Sequence, residues 1–291
     1  MINITLISII VGFVAVLIAS LFDIKTREVP DWLNYSLIGF AVGSSLILAV
    51  YHGYTHILIN SLVGLGIGLA IALLMFYTGQ WGGGDSKLII GLSALIGFGI
   101  SDLKYGFPLL VIFFINIMIV GAVYGLLFSF AKAILNFRDF KLAAEKKLRS
   151  RQVLVMRIIL IIICVSALIF FLATMSVESV VIFLLAVALF IFFYMWLFVS
   201  LVEKTCMIKQ IKVKDLTEGD WVVSPVTKKK GRKERVILKP TRIGVTLKQI
   251  ALLKKHSIRK VTVKIGVPFV PSFLIAYVLT FALGNWLVYF L

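Results

Sequence analysis

The sequence is poor in charge. Only 15% of its 291 residues are Asp, Glu, Lys or Arg and 61% are apolar or aromatic, against roughly 45–50% apolar usage in soluble domains. That scarcity excludes an ordinary soluble enzyme. Cysteine is rarer still: Cys164 lies inside an apolar run, Cys206 in a basic segment, and no C-x-x-C pair exists. Neither a disulfide framework nor a zinc knuckle is supported. Acids are few, 13 against 30 Lys and Arg, for a formal charge of +17. In a membrane protein the positive-inside rule explains that excess more economically than nucleic-acid binding does. His52 and His56 have the spacing of one helical face but lack a third ligand. They are read as structural, and neither a metal nor a cofactor is expected.

What the sequence has in quantity is long apolar runs. About 20 apolar residues cross a ~30 Å hydrocarbon core, and the runs 1–22, 32–51, 57–78, 86–100, 106–135, 153–174, 177–201 and 267–291 read as eight crossings. Residues 1–22 have no Lys or Arg ahead of them and no convincing cleavage site, so they are read as a retained helix and not as a signal peptide. The expected fold class is an all-α polytopic membrane protein of about eight transmembrane helices, with a small cytoplasmic α+β domain inserted before the last helix. The expected regions are an N-terminal membrane domain over residues 1–135, a basic loop 136–152, a helix pair 153–202, a basic soluble domain 203–266 and the last helix 267–291.

Basic residues fix the expected orientation, because short loops rich in Lys and Arg stay in the cytoplasm. Odd-numbered loops hold Lys25 and Arg27, then Lys87, then Arg138, Lys141, Lys146, Lys147, Arg149 and Arg151; even-numbered loops hold one lysine, Lys104, beside Asp102. Both termini are therefore expected outside the cytoplasm. The connection 203–266 carries 18 Lys or Arg against 5 acids, so 13 of the 17 net charges reside there. Within it, Gly219-Asp220 precedes a short apolar stretch at Trp221-Val222-Val223, and residues 261–265 alternate with period two, the marks of short strands. Thr246-Leu247-Lys248-Gln249 has the form of a capping box ahead of Ile250, Leu252 and Leu253, which marks one short helix. The run Lys228 to Lys233 has no interleaved aromatic except distant Trp221, so anionic lipid headgroups are its expected partner and nucleic acid is not.

Ionisable residues at or within membrane spans are functional candidates by default. Asp23 closes the first span and Asp85 opens the fourth, in Gly82-Gly83-Gly84-Asp85. Taken singly each is more simply a helix-end residue or an N-cap, as are Glu28, Asp31 and Asp102. The charge-derived topology, however, puts both on the cytoplasmic side. Two carboxyl groups a few ångströms apart do not both ionise readily, so one stays protonated while the other acts as a base, the arrangement of an aspartic protease. Gly82, Gly83 and Gly84 permit left-handed or extended backbone and a close approach of substrate. Lys87 and Arg27 are expected to support the pair.

The G-G-G-D run matches a G-x-G-D signature. With Asp23 ahead of Lys25, Arg27, Pro30 and Asp31, and with Pro268-Phe269-Val270-Pro271 opening the last span, the chain resembles the GxGD aspartic peptidases. Its closest fit is to the type IV prepilin peptidases and their archaeal branch, the preflagellin (archaellin) peptidases. The resemblance implies a membrane endopeptidase that removes the short basic leader of prepilin-like or archaellin precursors at the cytoplasmic face, with Asp23 and Asp85 in the catalytic positions. Bacterial members often add a zinc-binding cysteine domain and an N-methyltransferase activity; without C-x-x-C, peptidase activity alone is expected here. Two alternatives stand beside it. A presenilin-like or signal-peptide-peptidase-like protease also uses G-x-G-D, but its Tyr-Asp and Pro-Ala-Leu motifs are missing. A carboxylate-dependent ion transporter would place its acids nearer the bilayer midplane.

Overall fold

Backbone N–H and C=O groups in lipid must be satisfied within the segment itself, and in the computed structural model each long apolar run is accordingly a helix. The structure describes residues 6–99, 106–230, 233–240 and 244–286. Two compact units are present: Met1–Gly125 together with Ile211–Leu291, and Leu126–Gln210.

In the first unit, α1 (Leu6–Thr26), α2 (Asp31–His52), α3 (Thr55–Tyr77) and the beginning of α5 (Leu109–Leu135) come from runs long and apolar enough to cross a membrane. Pro30, in extended backbone, stands immediately before α2, and left-handed Gly53 ends it. Two helices are short for a crossing; the fourth run, 86–100, already reads as short at about 15 residues, and the last does not. α4 (Gly83–Ile96) and α10 (Val270–Leu283) have 14 residues each, about 21 Å at 1.5 Å per residue and short of a ~30 Å core. Within the expected crossing 267–291 the described helix covers Val270–Leu283 and ends at Gly284. Among the described residues, six helices have spanning length. Asp102, Lys104, residues 1–5 and 287–291, and the expected end of the fourth span at 100 lie outside the described residues.

α4 is a core helix. Leu88, Ile89, Leu92 and Ala94 are fully buried, and α2 and α3 pack on it. α3 comes unusually close: a Cβ on Gly64 would lie 2.3 Å from the Ser93 carbonyl oxygen, and one on Gly68 2.5 Å from the Ser93 Cβ. Small residues that let backbones approach are a means of packing membrane helices, where the lipid offers no hydrophobic driving force between them. Ser61 adds a hydrogen bond from its hydroxyl to the Ala94 carbonyl at 2.8 Å. α10 packs on α1, where the Tyr277 ring lies against Gly12 and its hydroxyl donates to the Ile9 carbonyl at 3.1 Å.

The basic segment folds as an α+β module. A three-stranded sheet has the order β1 (Ile208–Lys212), β5 (Lys260–Lys264), β2 (Trp221–Val222), and β3 (Val226–Lys230) pairs antiparallel with β4 (Lys233–Leu238). The expected strands near 221 and 261 are present. So is the helix α9 (Leu247–Lys255), whose capping box forms as read: Thr246 Oγ1 accepts the Gln249 N–H and Gln249 Oε1 accepts the Thr246 N–H. Ile250 and Leu253 enter the module core with Val222, Val261 and Val263, while Leu252 stays exposed. The Trp221 ring is covered by the Lys264 ammonium, 5.0 Å from its centroid.

The second unit contains the end of α5, α6 (Phe137–Leu148), α7 (Arg151–Thr174) and α8 (Val177–Cys206). α6 occupies what reads as a basic loop. Its residues are strong helix formers, with Asp139 in the first turn and Lys146 and Lys147 in the last, each at the dipole end that favours it. α7 and α8 pack against each other as a hairpin, with most of their apolar side chains facing outward, as lipid-exposed helices do.

Candidate active site

Asp23 lies in the last turn of α1 and only 4% of it is exposed. A buried carboxyl requires donors, and these come from the other end of the chain. Its Oδ2 accepts the Val270 N–H at 2.9 Å, and the Phe269 N–H is directed at the same carboxyl. These N–H groups are free to do so because the first donors of a helix have no intrahelical acceptor, and Val270 is the first residue of α10. Arg27 forms a second clasp. Its backbone is left-handed at φ 62° and its N–H closes on the Asp23 carbonyl at 3.0 Å. Its guanidinium donates to the Gly266 carbonyl and interacts electrostatically with Asp23.

Asp85, half-buried, occupies the third position of α4 and accepts the Gly82 N–H on Oδ2 at 3.2 Å. A carboxylate there suits the positive end of the helix dipole. α1 and α4 pack against each other, and the charges of Asp23 and Asp85 on these two helices influence one another. Of the two backbone forms the glycine run permits, the extended one is present and the left-handed one is not. Gly82 is extended (φ −72°, ψ 165°), Gly83 and Gly84 are the first residues of the helix, and none of the three has positive φ. A helix start needs an extended cap followed by helical residues, so the left-handed turn is made earlier, at Gly79 (φ 74°). Gly84 permits close approach instead: a Cβ there would lie 3.0 Å from the Val29 nitrogen.

Lys87 turns to Asp31, with Nζ 2.5 Å from Oδ1, and lies 5.5 Å over the Tyr35 ring. Asp31, read as an ordinary helix-end acid, is therefore the lysine's partner. Both side chains are more than a third exposed, and such pairs contribute about 0–1 kcal/mol. Lys87→Met is expected to lower thermal stability in detergent by no more than that amount; a loss of the folded state would overturn this placement. Glu28 is exposed in the link between α1 and α2. His52 and His56 flank the Tyr54 ring. Among the described residues no group of three His, Cys, Asp or Glu is placed to hold a metal.

Sequence reading missed four contributors. Asn34, fully buried on α2, donates to the Gly84 carbonyl at 3.4 Å. Trp81 packs edge-on against Phe273, with centroids 5.3 Å apart. Tyr124 on α5 interacts electrostatically with both Asp23 and Arg27, and one turn earlier Gly121 leaves room for the Phe269 ring. The fourth is the pair of Phe269 and Val270 N–H groups. The signals that could have found them were an amide in an apolar helix and a proline-flanked helix start that leaves N–H groups free.

Residues 10–126 match the model of the Type IV leader peptidase family. The chain is similar to the preflagellin peptidase of Methanocaldococcus jannaschii, 36% identical over 111 residues, which are 36% of this chain and 42% of that protein. It is also similar to the preflagellin peptidases of Methanococcus maripaludis (41% over 91 residues; 30% and 37% of the two chains) and Methanococcus voltae (39% over 102 residues; 34% and 39%). The chain thus spans about two fifths of the length of these curated relatives. No solved structure matches it.

Proposed function

We propose, from the match of residues 10–126 to the model of the Type IV leader peptidase family, that the protein is a membrane-embedded aspartic endopeptidase. It removes the short basic leader of prepilin-like or archaellin precursors, with Asp23 and Asp85 as the catalytic pair. The observation that carries this reading is the packing of α1 on α4, which brings two acids 62 positions apart in the matched region within range of one another's charge. In the ionised state one carboxylate takes a proton from water, and the water oxygen attacks the scissile carbonyl carbon. The other carboxyl, protonated, hydrogen-bonds the carbonyl oxygen and gives it its proton. The tetrahedral intermediate then collapses, the C–N bond breaks, and the leaving amine takes up a proton. Gly82, Gly83 and Gly84 keep side chains away from the approaching peptide, and Arg27 steadies Asp23. No metal or cofactor takes part, and no N-methylation accompanies cleavage.

With α4 and α10 counted as crossings beside the six helices of spanning length, the positive-inside rule puts this site and the basic module in the cytoplasm and both termini outside. A basic leader held in the cytoplasm ahead of a hydrophobic segment in lipid would present its scissile bond at that interface. The test is cleavage of tagged archaellin and pilin precursors in membranes containing the protein, with the new N-terminus sequenced. A cut between the basic leader and the hydrophobic segment supports the reading; a cut within the hydrophobic helix would replace it with the presenilin-like one.

The hairpin of β3 and β4 carries the run Lys228 to Lys233. Its proposed role is contact with anionic headgroups, each basic residue near such a surface contributing about 1 kcal/mol. Protease nicking of this hairpin is expected to slow in nanodiscs containing phosphatidylglycerol relative to purely zwitterionic ones. Equal nicking in both would remove the lipid role.

A further inference from the structure

We infer that the corner where α6 meets α7 and α8 is a binding site for the phosphate of an anionic phospholipid, with Arg157 as its central ligand. Arg157 lies in the second turn of α7, an apolar helix long enough to cross a membrane. An arginine inside a membrane span is costly unless it is paired or reaches the interface. Its guanidinium lies over the Tyr194 ring of α8, 6.0 Å from the centroid, a contact that leaves its in-plane donors available. Its Nε is buried and has no hydrogen-bond partner among the described residues. α7 contains no acid, α8 contains none between Ser179 and Val202, and the two acids of α6, Asp139 and Glu145, are exposed.

The surroundings identify what supplies the missing charge. One turn beyond Tyr194, Phe198 of α8 packs against Phe140 of α6 at 5.6 Å and against Phe130 at 4.5 Å. α6 therefore sits on the end of α8 that holds Tyr194 and Arg157. Only Asn136 separates α6 from α5, and only Arg149 and Ser150 separate it from α7, so two spanning helices hold it at the membrane surface. There its exposed Lys141 and Lys146 stand near the exposed Arg149 and Arg151, with Phe137 and Leu142 also exposed. Aromatic and apolar side chains beside a mainly basic cluster, with the unpartnered Arg157 Nε on the neighbouring helix, have the composition of an interfacial helix that grips an anionic headgroup. The lipid phosphate supplies oxygens for Arg157, and the basic cluster provides the remaining positive charge.

The test uses the full chain purified in a mild detergent, with retention of phosphatidylglycerol and of phosphatidylcholine measured by native mass spectrometry. Wild type is expected to retain phosphatidylglycerol preferentially. Arg157→Gln is expected to lose that preference, and Arg157→Lys to keep part of it. Lys146→Gln with Arg149→Gln, both exposed and harmless to packing, is expected to weaken retention about fivefold per charge removed. Equal retention of the two lipids by wild type, or unchanged preference in both the Arg157→Gln and the Lys146→Gln/Arg149→Gln proteins, overturns the site. Displacement of the lipid by millimolar inorganic phosphate would likewise overturn the lipid assignment in favour of free phosphate. None of these readouts depends on peptidase activity.

Discussion

Asp23→Asn and Asp85→Asn should each abolish leader cleavage while leaving the protein folded. Asn fills the same volume and can accept the same backbone donors, Val270 N–H at position 23 and Gly82 N–H at position 85, so the packing survives. What disappears is the carboxyl that gives or takes a proton. Removing a catalytic acid or base typically costs about 10²–10⁴-fold. Because the two acids act as a unit, the double variant is expected to be little worse than either single one. The measurement is initial cleavage rate in membranes, with folding checked by thermal unfolding. The rate of the wild type against pH should be bell-shaped, since one group must be charged and the other not, and its limbs belong to the pair and not to either residue. Substantial turnover by a folded Asp23→Asn protein would remove Asp23 from the mechanism.

The second large effect is structural. Gly64→Val is expected to destabilise the protein by about 3 kcal/mol or more, because the added atoms meet the Ser93 main chain and not a flexible side chain. The consequence reaches the site through α4, which must move away from α3 and carries Asp85 at its start. Cleavage should fall along with the thermal midpoint. Gly66→Ala is the matched control on the same helix. Nothing lies within 4 Å of a Cβ there, and exchanging Gly for Ala in a helix is favourable by about 0.5–1 kcal/mol. A folded, active Gly64→Val protein would falsify the close α3–α4 packing.

Hydropathy made the long helices legible, since a run such as α3 has few alternatives in lipid. It does not distinguish an apolar helix facing lipid from one facing protein, so α10 reads as an ordinary crossing although it has 14 residues, whereas the fourth run already reads as short. α6 was hidden for the opposite reason: its charge reads as a loop, while its helix formers and end charges stabilise a helix. β3 and β4 escaped because Val-Thr-Lys-Lys-Lys and Lys-Glu-Arg-Val-Ile-Leu lack alternation, whereas β5 shows it and was found. At the site, Asp23 and Asp85 were visible because acids are rare in apolar surroundings. Val270 was not, because what it contributes is a main-chain N–H that any residue except proline would supply.

The bond between Asp23 and Val270 joins residues 247 positions apart, and this sets an order of events during synthesis. The first helix, the glycine turn and both acids leave the ribosome early, yet the groups that hold the Asp23 carboxyl emerge only when the start of α10 is made. A nascent chain that already carries every residue of the matched region, 10–126, still lacks half of that clasp. Assembly of the pair is thereby tied to synthesis of the start of α10, so a shorter nascent chain in the membrane carries the two acids without the segment that orients one of them.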